Sequence, residues 1–197
     1  MAFTDETIIK LRVEAEGRSK ASNIDLSNEL VIYGETYRFA PGYFFDGQIE
    51  LMVPDTFSVM PDEVATEKYP TKQRPQVILT NSNHTIDITL NLPEDFLKPE
   101  QVPMSLQIMK SAIREMYPAT LFYDEGRIEK DDKNIVYMDF KSTSLGGAIY
   151  SIMFASSVCD RLLIGTFNCP FEQWEQWQPV ALEVISTIRE IDLEDKT

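Results

Sequence analysis

The sequence predicts an α+β fold: an antiparallel β-sheet with helices packed on both faces, an α/β/α sandwich. Three observations carry that reading. Four β-rich runs follow one another from residue 120 to 167, joined only by the short polar stretches DEGR, EKDDK, STSLGG and SVCD. Connectors this short imply antiparallel neighbours, because a parallel crossover needs a dozen or more residues. Upstream, Val102, Leu106, Met109, Ile113 and Met116 recur at spacings of four, three, four and three, the single apolar stripe of a helix over residues 100–117. Downstream, FEQWEQWQPVALEVISTIRE places Trp174, Trp177, Ala181, Val184, Ile185 and Ile188 on one face of a last helix. The order of strands, helix, meander and helix suits an antiparallel α+β sheet and not a doubly wound parallel one.

Taken from the start, residues 7–15 (TIIKLRVEA) alternate Ile9, Leu11, Val13 and Ala15 and read as a strand. A polar stretch, Gly17 to Asn28, separates it from a second alternating run, Leu30 to Phe39, broken around Gly34. Together they predict a β-hairpin in an N-terminal extension, residues 1–45, ahead of a main domain at 46–197. The main body opens with a short strand, Gln48 to Val53, stopped by Pro54. A loop and one or two helical turns follow, with Pro61 at the start and Pro70 as terminator. Gln76–Thr80 and Thr85–Leu92 read as a hairpin closed by the turn-forming set Asn81, Ser82, Asn83 and His84. Pro103 is tolerated in the first turn of the next helix and Pro118 ends it. Pro179 falls inside the last helical stripe, where a kink or a fresh helical start is expected.

Composition excludes several function classes. The 197 residues carry 32 acids against 18 bases, a net charge of −14, and a surface this acidic repels phosphate backbones. Nucleic acid is therefore not an expected partner. The longest apolar run, Ala148 to Ala155, is eight residues and interrupted by Ser151, far short of the ~20 that a membrane span needs. The first residues carry Asp5, Glu6 and Lys10 without an apolar core, so no secretory signal is read and the cytoplasm is the expected compartment. Cys159 and Cys169 flank one predicted strand, which sets them roughly 30 Å apart at ~3.3 Å per residue, too far for a disulfide.

The search for chemistry finds little. No phosphate-binding glycine loop is present, and Gly146-Gly147 sits where a turn needs it. His84 is the single histidine, too few for a Cys/His metal site, and its neighbours make it an exposed hairpin-tip residue. The acidic clusters Asp124-Glu125, Glu129 to Asp132 and Glu190 to Asp195 lie in turns or at the tail and read as solvated loops. No catalytic residue, cofactor or metal ligand is assigned. The stripes of Trp174 and Trp177, and of Met104, Met109 and Met116, read as packing surfaces before ligand boxes. One segment departs from the acidic surface. Lys68-Tyr69-Pro70-Thr71-Lys72-Gln73-Arg74-Pro75 sets three bases within seven residues, with an aromatic and two prolines fixing the backbone, and Lys68, Tyr69, Lys72 and Arg74 are its candidate partner-binding residues.

Residues 46–190 resemble the PsbP/DcrB-like superfamily, which includes the Ran-release-factor-like proteins. The resemblance rests on DGQIELMVPDTF, YPTKQRPQVILTNSN, the helix that follows, and the run IVYMDFKS…IYSIMFA…LLIGTFNCP before a Trp-containing last helix. It implies an antiparallel sheet flanked by helices, without catalytic activity. It also implies an adaptor role of the kind such proteins play in binding a small GTPase, supporting a photosystem or chaperoning secreted effectors. No partner-binding motif carries over residue by residue. The leading expectation is a non-enzymatic cytosolic protein–protein interaction module, an adaptor or chaperone of a secretion system being one form of it, with an exposed apolar groove on one sheet face. A small-molecule-binding protein or an enzyme using carboxylates and Tyr is the first alternative. A structural subunit forming a homodimer through the N-terminal hairpin is the second.

Overall fold

The computed structural model describes residues 24–71, 74–130, 133–144 and 146–191. The predicted strand at 7–15 lies outside them. Of the expected first hairpin, the run from Leu30 onward folds on itself. β1 (Leu30–Ile32) and β2 (Glu35–Tyr37) pair antiparallel around Tyr33 and Gly34, whose φ values of 50° and 83° make the tight mirror-image turn that suits a two-residue hairpin. β3 (Phe39–Phe44) then pairs with β4 (Ile49–Pro54), and β12 (Arg189–Glu190) flanks β4 on its other side, giving a three-stranded antiparallel sheet. Residues 45 and 46 fall in the β3–β4 turn.

The larger sheet has seven antiparallel strands. Its order is β5 (Ser58–Val59), β6 (Val77–Thr80), β7 (Asp87–Asn91), β11 (Arg161–Pro170), β10 (Gly147–Val158), β9 (Lys133–Ser144) and β8 (Leu121–Lys130). The meander β8–β9–β10–β11 follows the predicted connectivity. β11 then pairs with β7, which places the sheet's last strand in chain order at its middle. Among the described residues there are three α-helices, α1 (Asp62–Lys68), α2 (Val102–Met116) and α3 (Trp174–Ser186), the last two each preceded by a single 3-10 turn.

Successive residues of a strand point to opposite sides of the sheet, and the core divides accordingly. Ile135 of β9, Tyr150, Ile152 and Phe154 of β10, and Leu163 and Phe167 of β11 are buried in one cluster with Trp177, Val180, Val184 and Ile185 of α3. That cluster also takes Ile49 and Leu51 of β4, and Leu26, Ile32 and Tyr37 from the first described residues. The intervening residues Val136, Met138 and Phe140 of β9 and Ala155 of β10 form a second cluster with Val102 and Leu106 of α2. A third, small cluster joins Met60, Ala65 of α1 and Ile78 of β6. α3 runs unbroken through Pro179, so the expected fresh helical start is not there. Proline inside a helix costs about 3 kcal/mol. Burial of Trp177, Val180, Ala181, Val184 and Ile185 offsets that, at about 1.5–3 kcal/mol for each large side chain.

Candidate functional site

The middle strand of a seven-stranded sheet should be covered on both sides; among the described residues a helix packs along β11 on one side only. The residues of β11 alternate without exception from Leu163 onward. Leu163, Gly165, Phe167 and Cys169 are buried, whereas Ile164, Thr166, Asn168 and Pro170 are only half-buried. The first set faces α3. The second faces the side that carries α1 and α2, where α1 packs against β6 and α2 against β9 and β10. Between the two helices the described residues leave a narrow trough along β11, where Ile164, Thr166 and Asn168 are half-buried and their neighbours Ser151, Thr89 and Asp87 are buried.

The register gives the floor row by row. One row across the sheet runs Phe140, Ser151, Asn168, Asp87, Thr80, and the next runs Met138, Met153, Thr166, Thr89, Ile78. Polar side chains thus occupy the centre of each row, with apolar ones towards α2. They satisfy one another: Thr89 Oγ1 and Thr166 Oγ1 are 2.7 Å apart, Ser151 Oγ donates to Asn168 Oδ1 at 2.8 Å, and Asn168 Nδ2 donates to Thr166 Oγ1 at 3.2 Å. Such a ladder holds its side chains in fixed rotamers and leaves no buried donor stranded.

The α2 wall is set by helical geometry. Lys110 is ion-paired to Glu125, Gln107 Nε2 donates to the same carboxylate at 2.7 Å, and Lys110 and Arg114 lie over the Phe122 ring of β8. This turns the polar side of α2 towards the edge of the sheet. At 100° per residue the opposite side carries Ser105, Ile108, Ala112 and Met116 and looks towards β11. Ile108 and Met116 are 63% and 64% exposed. Met116, read from the sequence as the end of the buried stripe, is exposed in the last turn of α2.

The other wall ends in two of the residues singled out in the sequence. Lys68 Nζ reaches the fully buried Asp87 carboxylate at 2.6 Å and donates to the His84 carbonyl at 2.8 Å. Tyr69, the residue that ends α1, donates its hydroxyl to Asp87 Oδ2 at 3.2 Å, and Thr80 Oγ1 donates to Asp87 Oδ1 at 3.0 Å. Burial first, then the Asp87 charge, pushes the Tyr69 phenol well above its ordinary range, so it is a donor at any working pH. Both side chains are thereby committed to fastening α1 over β7. Lys72 lies outside the described residues, and Arg74 is exposed on the connector beyond. His84, expected to be exposed, is half-buried in a left-handed conformation (φ 58°), because Lys68 closes over the hairpin tip; its Nδ1 has no partner among the described residues.

On the other side of the sheet a second carboxylate is enclosed altogether. Asp139 of β9 accepts from Tyr150 at 2.5 Å, from Gln178 Nε2 at 2.8 Å and from the Asp124 backbone N–H at 2.6 Å. The last bond exists because β8 slips register between Phe122 and Glu125. Burial raises the pKa of Asp139 against the pull of these three bonds, and burial likewise raises Tyr150. Asp139 and Tyr150 have no exposed surface and Gln178 retains 5%. A perturbed acid beside a tyrosine has the composition of an acid–base pair, but this one is sealed between sheet and α3 and touches no solvent-facing surface. The thiols are equally withdrawn: Cys169 is buried, and burial pushes the half-buried Cys159 up to about 11. Both are free, as the sequence predicted. Among the described residues no group of three or more His, Cys, Asp or Glu side chains could hold a metal ion, and no helix is long and apolar enough to cross a membrane.

Comparison with known proteins agrees with the architecture. No family model matches the sequence, and no curated protein matches it. Solved structures do. The cyanobacterial PsbP of Synechocystis superposes with a TM-score of 0.57 at 6% identity, over 78% of this chain and 92% of that one. A protein of Bacteroides thetaiotaomicron gives 0.54 at 10% identity, over 80% of this chain and 50% of that one. LpqN of Mycobacterium tuberculosis, a protein involved in cell envelope biogenesis, gives 0.51 at 12% identity over 82% and 95%. At such identities the likeness is one of fold, and on it the chain has the PsbP-like α+β fold that the sequence motifs of residues 46–190 pointed to.

Proposed function

We propose that this chain is a non-enzymatic protein-binding module whose partner lies in the trough over β11. The sheet serves as a rigid platform, covered by α3 on one side and by α1 and α2 on the other, with the gap between α1 and α2 as the recognition surface. One observation carries the reading: the central strand of the large sheet leaves Ile164, Thr166 and Asn168 half-exposed beside the exposed Ile108 and Met116 of α2. Apolar area left open on a platform of this kind is the usual mark of an interaction site. A catalytic reading has less support, since the perturbed acid Asp139 is sealed from solvent and the floor hydroxyls are spent on one another. An adaptor or chaperone of a secretion system in the cytoplasm is the specific form of this function that fits a trough with an apolar wall and a polar floor. Lys68 and Tyr69 fix one wall of it, and Arg74 is exposed on the connector beyond. Self-association through the first hairpin is the competing form.

The test is photo-cross-linking in the native host, with p-benzoylphenylalanine placed at Ile164, at Ile108 and, as control, at Val31 in the β1–β2 hairpin. Expected is a discrete protein adduct from the two trough positions and not from Val31. Adducts identical at all three positions, or from Val31 alone, would contradict the proposal, and an adduct of twice the chain's own mass from Val31 would favour self-association.

A further inference from the structure

We propose that residues 1–23, which lie outside the described part of the chain, dock on the outer side of α3. This contact is separate from the trough, on the opposite side of the sheet. A helix laid on a sheet buries one stripe and exposes the rest to solvent. α3 does not: from Trp177 to Ile188, two residues past its end, no residue is exposed. Described elements account for two of its sides. The large sheet takes one, where Gln178 donates to Asp139 of β9 and the Trp177 ring lies 5.4 Å from the Phe167 ring of β11. The β1–β2 hairpin and β4 take the next. There Gln176 Oε1 accepts from the Tyr33 N–H at 2.6 Å, and Thr187 Oγ1 accepts from the Met52 N–H at 3.0 Å. The side that remains carries Pro179, Leu182, Glu183 and Ser186, at the i, i+3, i+4 and i+7 spacing of a single helix face. Pro179 and Ser186 are buried, Ser186 retaining 4% of its surface, and Leu182 and Glu183 are half-buried. That is the pattern of a packed interface, and its cover comes from outside the described residues.

The path of the chain says which residues supply it. Ile24, the first described residue, packs against the same core cluster as Leu182, and Leu26 is buried in that cluster with Trp177 and Val180. Residues 1–23 therefore leave the described fold beside α3. The helix has 13 residues and is about 20 Å long, whereas 23 residues reach up to ~75 Å when extended. Chemistry selects the same segment. It brings Ile9, Leu11 and Val13 for the stripe, and Lys10, Arg12, Arg18 and Lys20 as bases that suit a half-buried Glu183. The other end of the chain, DLEDKT at residues 192–197, has three acids and one apolar residue, and its charge would repel Glu183. It also follows Ile191, whose N–H is bonded to the Gln48 carbonyl beside β4. On this account the N-terminal segment completes the fold of one molecule and does not join two.

The test is the maleimide-labelling rate of the full purified chain carrying Ser186→Cys and Cys159→Ser. Expected is slow labelling that becomes roughly tenfold or more faster once Ile9→Asp and Leu11→Asp are added, while buried Cys169 stays unlabelled in both. Fast labelling without the two aspartates would overturn the inference, and so would a rate that they leave unchanged. Should Cys169 also become reactive, the aspartates have unfolded the chain, and cross-linking decides. For this, p-benzoylphenylalanine replaces Leu182 in the otherwise unaltered chain, and the adduct is mapped by mass spectrometry after irradiation. A link to residues 1–23 at the mass of one chain supports the inference. A link to residues 192–197, an adduct of twice the chain's mass, or no adduct contradicts it.

Discussion

At the scale of single residues, the fully buried carboxylates Asp87 and Asp139 do structural work on opposite sides of the sheet, and each makes a measurable prediction. Asp139 is held above its ordinary value of 3.8 by burial, so between that value and the raised one the native state binds a proton that the unfolded chain has lost. Stability attributable to this group is full below pH ~4 and falls as pH rises through that window. Asp139→Asn removes the charge but keeps an acceptor for the Asp124 N–H. Urea denaturation from pH 4 to 7 should therefore show wild type losing stability relative to the variant as pH rises; a difference independent of pH would show that Asp139 does not titrate there. Asp139→Ala strands Tyr150, Gln178 and Asp124, at roughly 1–3 kcal/mol for each unpartnered group. For the other carboxylate, Lys68→Met leaves Asp87 buried beside only Tyr69 and Thr80 and should cost about 3 kcal/mol, most of it recovered by adding Asp87→Asn. Full additivity of the two substitutions would mean the ion pair contributes nothing. Neither partner pairing was visible in the sequence, because Lys68 and Asp87 belong to different elements and Asp139 reads as an ordinary polar residue of an alternating strand.

Among the elements, the meander and the two long helices were legible because their signals are local: short polar connectors, period-two runs and an i, i+4 stripe. β3 was not, since Pro41 and Gly42 inside FAPGYF break a strand pattern; they are tolerated because β3 is the edge of the small sheet. The fresh helical start expected at Pro179 does not occur, because burial of the α3 face offsets the cost of a proline inside it. β11 shows a close approach that its sequence marks only by a glycine. A Cβ on Gly165 would lie 2.1 Å from the Phe154 ring of β10, so that ring occupies the space over the central strand. Gly165→Ala should cost about 1–3 kcal/mol by overpacking, read as a lower Tm, and adding Phe154→Leu should relieve part of it. An unchanged Tm in the single variant would mean that the ring has room to move.

For the molecule as a whole, the trough could not be read from the sequence, because it is a consequence of strand order. Ile164, Thr166 and Asn168 look like the outward residues of any half-buried strand until β7, over seventy residues earlier, pairs with β11 and puts it in the middle. The first described residues are tied to the rest as well: β3 pairs with β4 in a hairpin, and the Tyr37 ring meets the Trp177 ring, 140 residues away in sequence, edge-on at 4.9 Å between centroids. Deletion of residues 1–45 should therefore give a chain of much lower denaturation midpoint and not an intact smaller domain; a cooperative transition at the wild-type midpoint would contradict this. The central claim, that the middle of the sheet is open in the isolated chain and covered by a partner at work, is tested by thiol labelling of Thr166→Cys in a Cys159→Ser background. The account predicts rapid maleimide labelling of the purified protein and strong protection in the cells that make it. Slow labelling of the purified protein, or equal rates in the two settings, would contradict it.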